Sequence, residues 1–233
     1  MNINLYNEPL SEIYDTLIEP TLNGDIETIC VWDDEYTLHY KRKRPNPSAL
    51  VNVDDDYSID RCSYETYKEL SSRKESYVSI PNNNDENGKR YQALGDGVIY
   101  FLKKIDGNIH PSLKRVNKII DNKIVNIMSK DINHYNLYRS SGFHHYKKYK
   151  NCNGYMGWHT NCNNPKDRYY FVYNTDENSS FMRYIDMNGN MITKQEPKGW
   201  SINYFSITDC NNPLWHCVYT NTHRFSFGVS IEY

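Results

Sequence analysis

Alanine is nearly absent from this chain, occurring twice in 233 residues, at Ala49 and Ala93. Asn, Tyr, Ile and Lys take its place, residues with AT-rich codons, so the bias reports an AT-rich genome and the 22 tyrosines are not read as a binding signature. No apolar run approaches the roughly 18 residues of a membrane span; Val98-Ile99-Tyr100-Phe101-Leu102 is among the longest. The opening Met1-Asn2-Ile3-Asn4-Leu5-Tyr6-Asn7-Glu8 carries neither a basic nor an apolar segment of the secretory kind, so a cytoplasmic protein is expected, in a host cell if the gene is viral. A basic excess is also missing. Lys plus Arg is 27 and Asp plus Glu is 29, a net charge of -2, which argues against a general polyanion binder.

Several motifs are missing too. The chain has no Walker A loop, no GxGxxG after a strand and no Gly-x-Ser-x-Gly elbow, so nucleotide-dependent and serine-hydrolase chemistries lack support. The six cysteines (Cys30, Cys62, Cys152, Cys162, Cys210, Cys217) show no CxxC spacing and read as reduced thiols. Cys152, Cys162, Cys210 and Cys217 do not have the spacing of a zinc knuckle or ribbon. The Lys41-Arg42-Lys43-Arg44 run, with Asp54-Asp55-Asp56 close behind, reads as a solvated edge and not as a nucleic-acid patch.

What is present, 38% hydrophobic and 24% charged residues, suits one globular α+β domain over residues 1–233. Residues 1–109 are mixed. A helix is expected from Pro9 to Leu22, with Leu10, Ile13, Tyr14, Leu17 and Ile18 on one stripe. Ile26–Trp32 and Tyr36–Arg42 read as a β-hairpin around Asp33-Asp34-Glu35, Pro45–Arg61 as a polar loop, and Ser63–Arg73 as a helix. Pro81–Gly88 is the clearest loop and a candidate lid. Residues 110–131 hold the strongest helix, with Pro111 in its first turn and Leu113, Val116, Ile119, Ile120, Ile124, Ile127 and Met128 at helical spacing. From 132 to 233 eight or nine short alternating runs, separated by turns such as Asn188-Gly189, predict a β-sandwich or small barrel.

Three stretches in this β-rich half could carry chemistry. They are Gly157-Trp158-His159-Thr160-Asn161, then Trp215-His216-Cys217 with His216 57 residues after His159, then Arg224-Phe225-Ser226 starting eight residues after His216. Residues two apart on a strand share a face. His159 and Asn161 should therefore project together, with Trp158 and Thr160 on the other side, the tryptophans packing near Val116 and Ile120. Arg224, Ser226 and Gly228 should share a polar inner face opposite an apolar face of Phe225, Phe227, Val229 and Ile231, and a buried Arg there needs an anionic partner. Of the adjacent His144 and His145 only one can enter the roll, leaving the other for the surface.

The order His-x-(acid), distant His, Arg-x-Ser, on short strands after a long helix, resembles the 2-oxoglutarate/Fe(II)-dependent dioxygenases. Gly157–Asn161, Pro165–Tyr170 and Ser180–Tyr184 resemble phage-encoded members in particular; the likeness covers about residues 110–233. It implies a double-stranded β-helix, or jelly-roll, core with the N-terminal helices and a β-hairpin packed outside. It implies Fe(II) held by His159, His216 and position 161, and 2-oxoglutarate bound through its distal carboxylate by Arg224 and Ser226. The implied activity is hydroxylation of an unknown substrate (protein side chain, nucleobase or small metabolite) coupled to oxidative decarboxylation of the 2-oxo acid. Arg224→Ala is then expected to abolish co-substrate binding and spare the fold.

Position 161 departs from the pattern, being Asn where the family has Asp or Glu. An amide oxygen can ligate a metal but brings no charge. Three arrangements are compatible with it: Asn161 as a weak third ligand; water, chloride or another acid, with Asp176 and Glu177 as candidates, in its place; or a degenerate roll serving as a virion or host-interaction module.

Overall fold

A computed structural model describes residues 2–40, 55–72, 97–131, 136–138, 143–161, 166–207 and 213–232. The Lys41–Arg44 run, the Pro81–Gly88 loop, Cys162 and Cys210 lie outside these residues. Among the described residues no helix is long and apolar enough to cross a membrane.

Among the described residues twelve strands form two antiparallel sheets. The larger sheet holds β1 (Thr28–Cys30), β3 (Tyr100–Leu102), β5 (Phe143–Tyr146), β12 (Arg224–Glu232), β7 (Lys166–Asn174) and β10 (Gly199–Ile207), in that order, with β4 (Asn136–Tyr138) also pairing β12. The smaller sheet runs β2 (Gly97–Val98), β6 (Gly154–His159), β11 (His216–Thr220), β8 (Ser180–Ile185) and β9 (Met191–Glu196). The α+β sandwich expected from the alternating runs is thus present, with both tryptophan-flanked histidines on neighbouring strands of the smaller sheet.

Each sheet has its own outer cover. Strand period explains the larger one: Phe225, Phe227, Val229 and Ile231 of β12 join Phe143 and Phe171 on its outer face. Two helical segments pack there. The first comprises α1 (Asn7–Ile13), a π turn (Tyr14–Ile18) and α2 (Glu19–Leu22); the second comprises α6 (Pro111–Ile119), a π turn (Ile120–Ile124) and α7 (Val125–Asp131). Their buried stripes, Leu10, Ile13, Leu17 and Ile18 on one and Val116, Ile120, Ile124 and Met128 on the other, match the helical periods in the sequence. Pro111 opens α6, where its missing N–H costs nothing, and the His110 ring accepts the Ser112 N–H at 3.2 Å as the cap.

The smaller sheet is covered by α4 (Asp55–Asp60) and α5 (Tyr64–Ser72). Trp158 packs on Tyr67 and donates its indole N–H to the Ser63 carbonyl at 2.6 Å, and Trp215 meets the same Tyr67 edge-on. This corrects the expectation that the tryptophans pack near Val116 and Ile120, which belong to the other cover. α4 also replaces part of the polar loop expected over Pro45–Arg61.

The expected hairpin does not form. After β1 the chain turns into α3 (Asp34–Tyr40), with Asp34 and Glu35 in its first turn, where a helix favours negative charge. Tyr36 and Tyr40, one helical turn apart, stack at 4.8 Å and lie against Phe101, while β1 takes its partner from β3.

Candidate functional site

The register between β6 and β11 builds the site. Val218 pairs with Met156 and His216 with His159, so β6 spends one more residue than β11 over this stretch. That extra residue is a β-bulge, and it brings His159 into phase with Met156 on the inner face, leaving Trp158 outside. Cross-strand pairing then sets the two imidazoles 4.1 Å apart, centroid to centroid.

Both rings are oriented in the same way. His159 Nδ1 donates to the Gly157 carbonyl at 2.9 Å, and His216 Nδ1 donates to the Leu214 carbonyl at 3.0 Å. A carbonyl only accepts, so each ring carries its proton on Nδ1 and offers a bare Nε2 lone pair. Burial keeps them neutral: the His159 pKa falls to about 4, burial outweighing the Gly157 bond, with Arg168 nearby acting in the same direction as burial. That of His216 falls well below the ordinary value, through burial first and then through His159. Asn161, also buried, donates its amide N–H to His216 Nε2 at 3.2 Å. The sequence-derived trio His159, Asn161 and His216 is therefore brought together.

Two neutral, backbone-braced imidazoles 4.1 Å apart could supply two ligands to a divalent transition metal, although among the described residues no third His, Cys, Asp or Glu stands with them. Asn161 can complete the set by turning its amide oxygen inward in place of the bond to His216. Asp176 and Glu177 cannot, because they are tied down at the β7–β8 turn. Asp176 accepts from Thr175 at 2.7 Å and from Thr222, and Glu177 accepts the Lys198 N–H at 2.8 Å. Both therefore drop out as substitutes for a carboxylate at position 161.

Behind the histidines, between the sheets, lies a cavity of about 50 Å³. His144, Tyr146, Asn203, Arg224 and Ser226 of the larger sheet face Met156, Met182 and Val218 of the smaller. Arg224 and Ser226 thus sit on the polar inner face, as alternation along β12 predicts. The register measures the depth. Ser180, opposite both Thr220 and Glu196, is four residues along β8 from Tyr184, the partner of His216, or about 13 Å.

At that deep end Arg224 has a partner inside the protein. Its Nε and Nη2 donate to the two carboxylate oxygens of Glu196 at 2.7 and 2.8 Å, with both side chains buried. Glu196 also accepts from Ser180 Oγ and Asn203 Nδ2, each at 2.6 Å. Burial alone would raise the Glu196 pKa; Arg224 and these donors together hold it below the usual carboxylate value.

His144 is the histidine that enters the cavity, its pKa lowered to about 4 by burial. His145 faces the outer side but is no surface residue. It is fully buried, stacked on Phe225 at 4.1 Å and 3.1 Å from His223 Nδ1.

Glu196 and Asn203 were missed from sequence. Glu196 ends an edge strand whose preceding Thr193, Lys194 and Gln195 are exposed, so alternation gave no hint of it. Arg168 was readable, since Arg168, Tyr170, Val172 and Asn174 alternate with Tyr169, Phe171 and Tyr173. No protein-family model matches the chain, and no curated protein matches it.

Proposed function

We propose that the protein is a non-haem Fe(II) oxygenase that uses a 2-oxo acid as co-substrate, 2-oxoglutarate in the family it resembles, to hydroxylate a substrate whose class is open. The observation that carries this reading is the matched pair of imidazoles. Two histidines 57 residues apart are cross-strand partners, each with Nδ1 committed to a backbone carbonyl two residues upstream, which leaves Nε2 as the acceptor, on His216 now taken by the Asn161 amide. A single buried histidine is commonly structural; two adjacent ones with the same tautomer suit a metal.

The strand order supports the jelly-roll form of the fold. Counting from β5 as first to β12 as eighth, the larger sheet runs first, eighth, third, sixth and the smaller runs second, seventh, fourth, fifth. That is the order of a double-stranded β-helix. Bound Fe(II) would supply O₂ activation coupled to decarboxylation of the oxo acid. The chain's part is to hold the metal through His159, His216 and the amide oxygen of Asn161, and to wall the co-substrate between the sheets. At the deep end Arg224 keeps its outward Nη1–Nη2 edge for the co-substrate tail, beside Ser226, since Glu196 occupies only the Nε–Nη2 edge.

A second reading, a metal-free roll acting as a virion or host-interaction module, draws support from Glu196. An inward arginine with its own carboxylate partner needs no co-substrate to explain it. Anaerobic titration with Fe(II), with and without 2-oxoglutarate and, in a separate arm, its 5-carboxamide, separates the two. A visible charge-transfer band and a ligand-dependent rise in melting temperature are expected of the oxygenase. A folded protein with neither belongs to the second reading.

A further inference from the structure

Resting on the oxygenase reading, we infer that Glu196 makes the deep end of the cavity selective for a 2-oxo acid with an uncharged tail that both donates and accepts hydrogen bonds, such as a carboxamide, over the dicarboxylate 2-oxoglutarate.

Charge is the first argument. Arg224 and Glu196 form a bidentate, buried pair, so the guanidinium charge is already matched. A ligand carboxylate reaching the outward edge of Arg224 would set two carboxylates against one guanidinium where both protein side chains are buried. Its desolvation would go uncompensated, and Glu196 would repel it. Glu196 is not easily displaced either. Arg224, Ser180 and Asn203 together give it four hydrogen bonds between 2.6 and 2.8 Å.

The second argument is independent and concerns Asn203. Its Nδ2 donates to Glu196 Oε1, and the carboxylate fixes this orientation because a flipped amide would face it oxygen to oxygen. Asn203 Oδ1 is left buried in a residue lining the cavity, with no donor among the described residues. A buried acceptor without a donor gains from a ligand N–H or O–H, and a carboxylate has none to give. A carboxamide answers both sides. Its N–H serves Asn203 Oδ1, and its oxygen accepts from the outward Nη1–Nη2 edge of Arg224 or from the hydroxyls of Tyr146 or Ser226, which line the same cavity.

The test compares N-oxalylglycine with N-oxalylglycinamide, which share a metal-chelating end and differ only in the tail, by calorimetric titration into the anaerobic Fe(II)-loaded protein. The amide is expected to bind the wild-type protein at least tenfold more tightly. Glu196→Gln should erase or invert that order, and Asn203→Ala should weaken the amide while leaving the dicarboxylate where it was. The wild-type comparison decides even if the Glu196 variant fails to fold. Equal affinities, or a tighter dicarboxylate, overturn the inference. Fe(II) binding with no response to either analogue would sink the co-substrate reading and this inference with it; absence of Fe(II) binding would sink the metal reading at its root.

Discussion

His159 and His216 face each other because β6 carries one residue more than β11 between the pairs Met156–Val218 and His159–His216. Without that residue the partner of His216 would be Trp158, and an indole would point at the cavity. Inserting one glycine between Cys217 and Val218 should even the two strands at three steps each, remove the bulge, carry both imidazoles to the face opposite Met156 and Val218, and cut Fe(II) affinity by more than roughly 100-fold. Fe(II) titration of the folded insertion variant checks this, and undiminished binding would exclude the pair as ligands.

Asn161→Asp should strengthen the metal site. The substitution adds a negative charge beside two neutral imidazoles, at the position whose amide now touches His216 at 3.2 Å. An affinity gain of about tenfold, roughly 1.4 kcal/mol, is expected. If calorimetry finds no change, Asn161 does not ligate the metal.

Acid should weaken the fold first and the metal site at lower pH. The pKa of His159 and of His144 is lowered to about 4, and those of His145 and His216 lie well below the ordinary value. Between about pH 6.5 and pH 4 the unfolded chain takes up protons that the native rings refuse, so stability is full above 6.5 and falls as pH drops through this window. His159 alone contributes about 3 kcal/mol to that loss. Metal binding competes with a proton for Nε2, so Fe(II) affinity should stay level from pH 7.5 to about 5.5, where an ordinary histidine pair would already be losing it. A midpoint near 6.5 would show that the rings are solvated.

Glu196→Ala should destabilise the protein by about 3–5 kcal/mol, because it strands a buried guanidinium. Arg224→Ala should do comparable damage by stranding the carboxylate, which revises the expectation that this variant spares the fold. The double variant Arg224→Met, Glu196→Leu should recover much of the loss. Denaturant melts of the three variants test this, and additive effects in the double variant would show that the two residues do not act as a pair.

Much of this architecture could be read in the sequence, for a physical reason. Each strand from β5 to β12 except the edge strand β9 places at least part of a face against a packed layer, and one-sided burial writes period two into the residues. The helices at 7–22 and 111–131 were legible for the same reason at a period of 3.6. α3 was not, since Tyr36, Leu38 and Tyr40 alternate like a strand; only the exposure of Leu38 and the stacking of Tyr36 on Tyr40 reveal the helix. Of the site, parity placed Trp158 and His159 on opposite faces, but no count of residues shows which strand bulges. Glu196 was hidden because it belongs to a buried network assembled from β8, β9, β10 and β12, and none of those partners is adjacent to it in the chain.

The aromatic layers lie outside the larger sheet, under the helices, whereas its inner face carries His144, Tyr146, Arg168, Asn174, Asn203, Arg224 and Ser226. Cohesion and chemistry are thus assigned to opposite sides of the same strands. In such a molecule the inner side chains can be exchanged one alternate position at a time without touching the residues that hold the helices down. A lineage built on this plan could therefore change what its cavity accepts while its skeleton stayed the same, provided that any change to the arginine–glutamate clamp altered both members together.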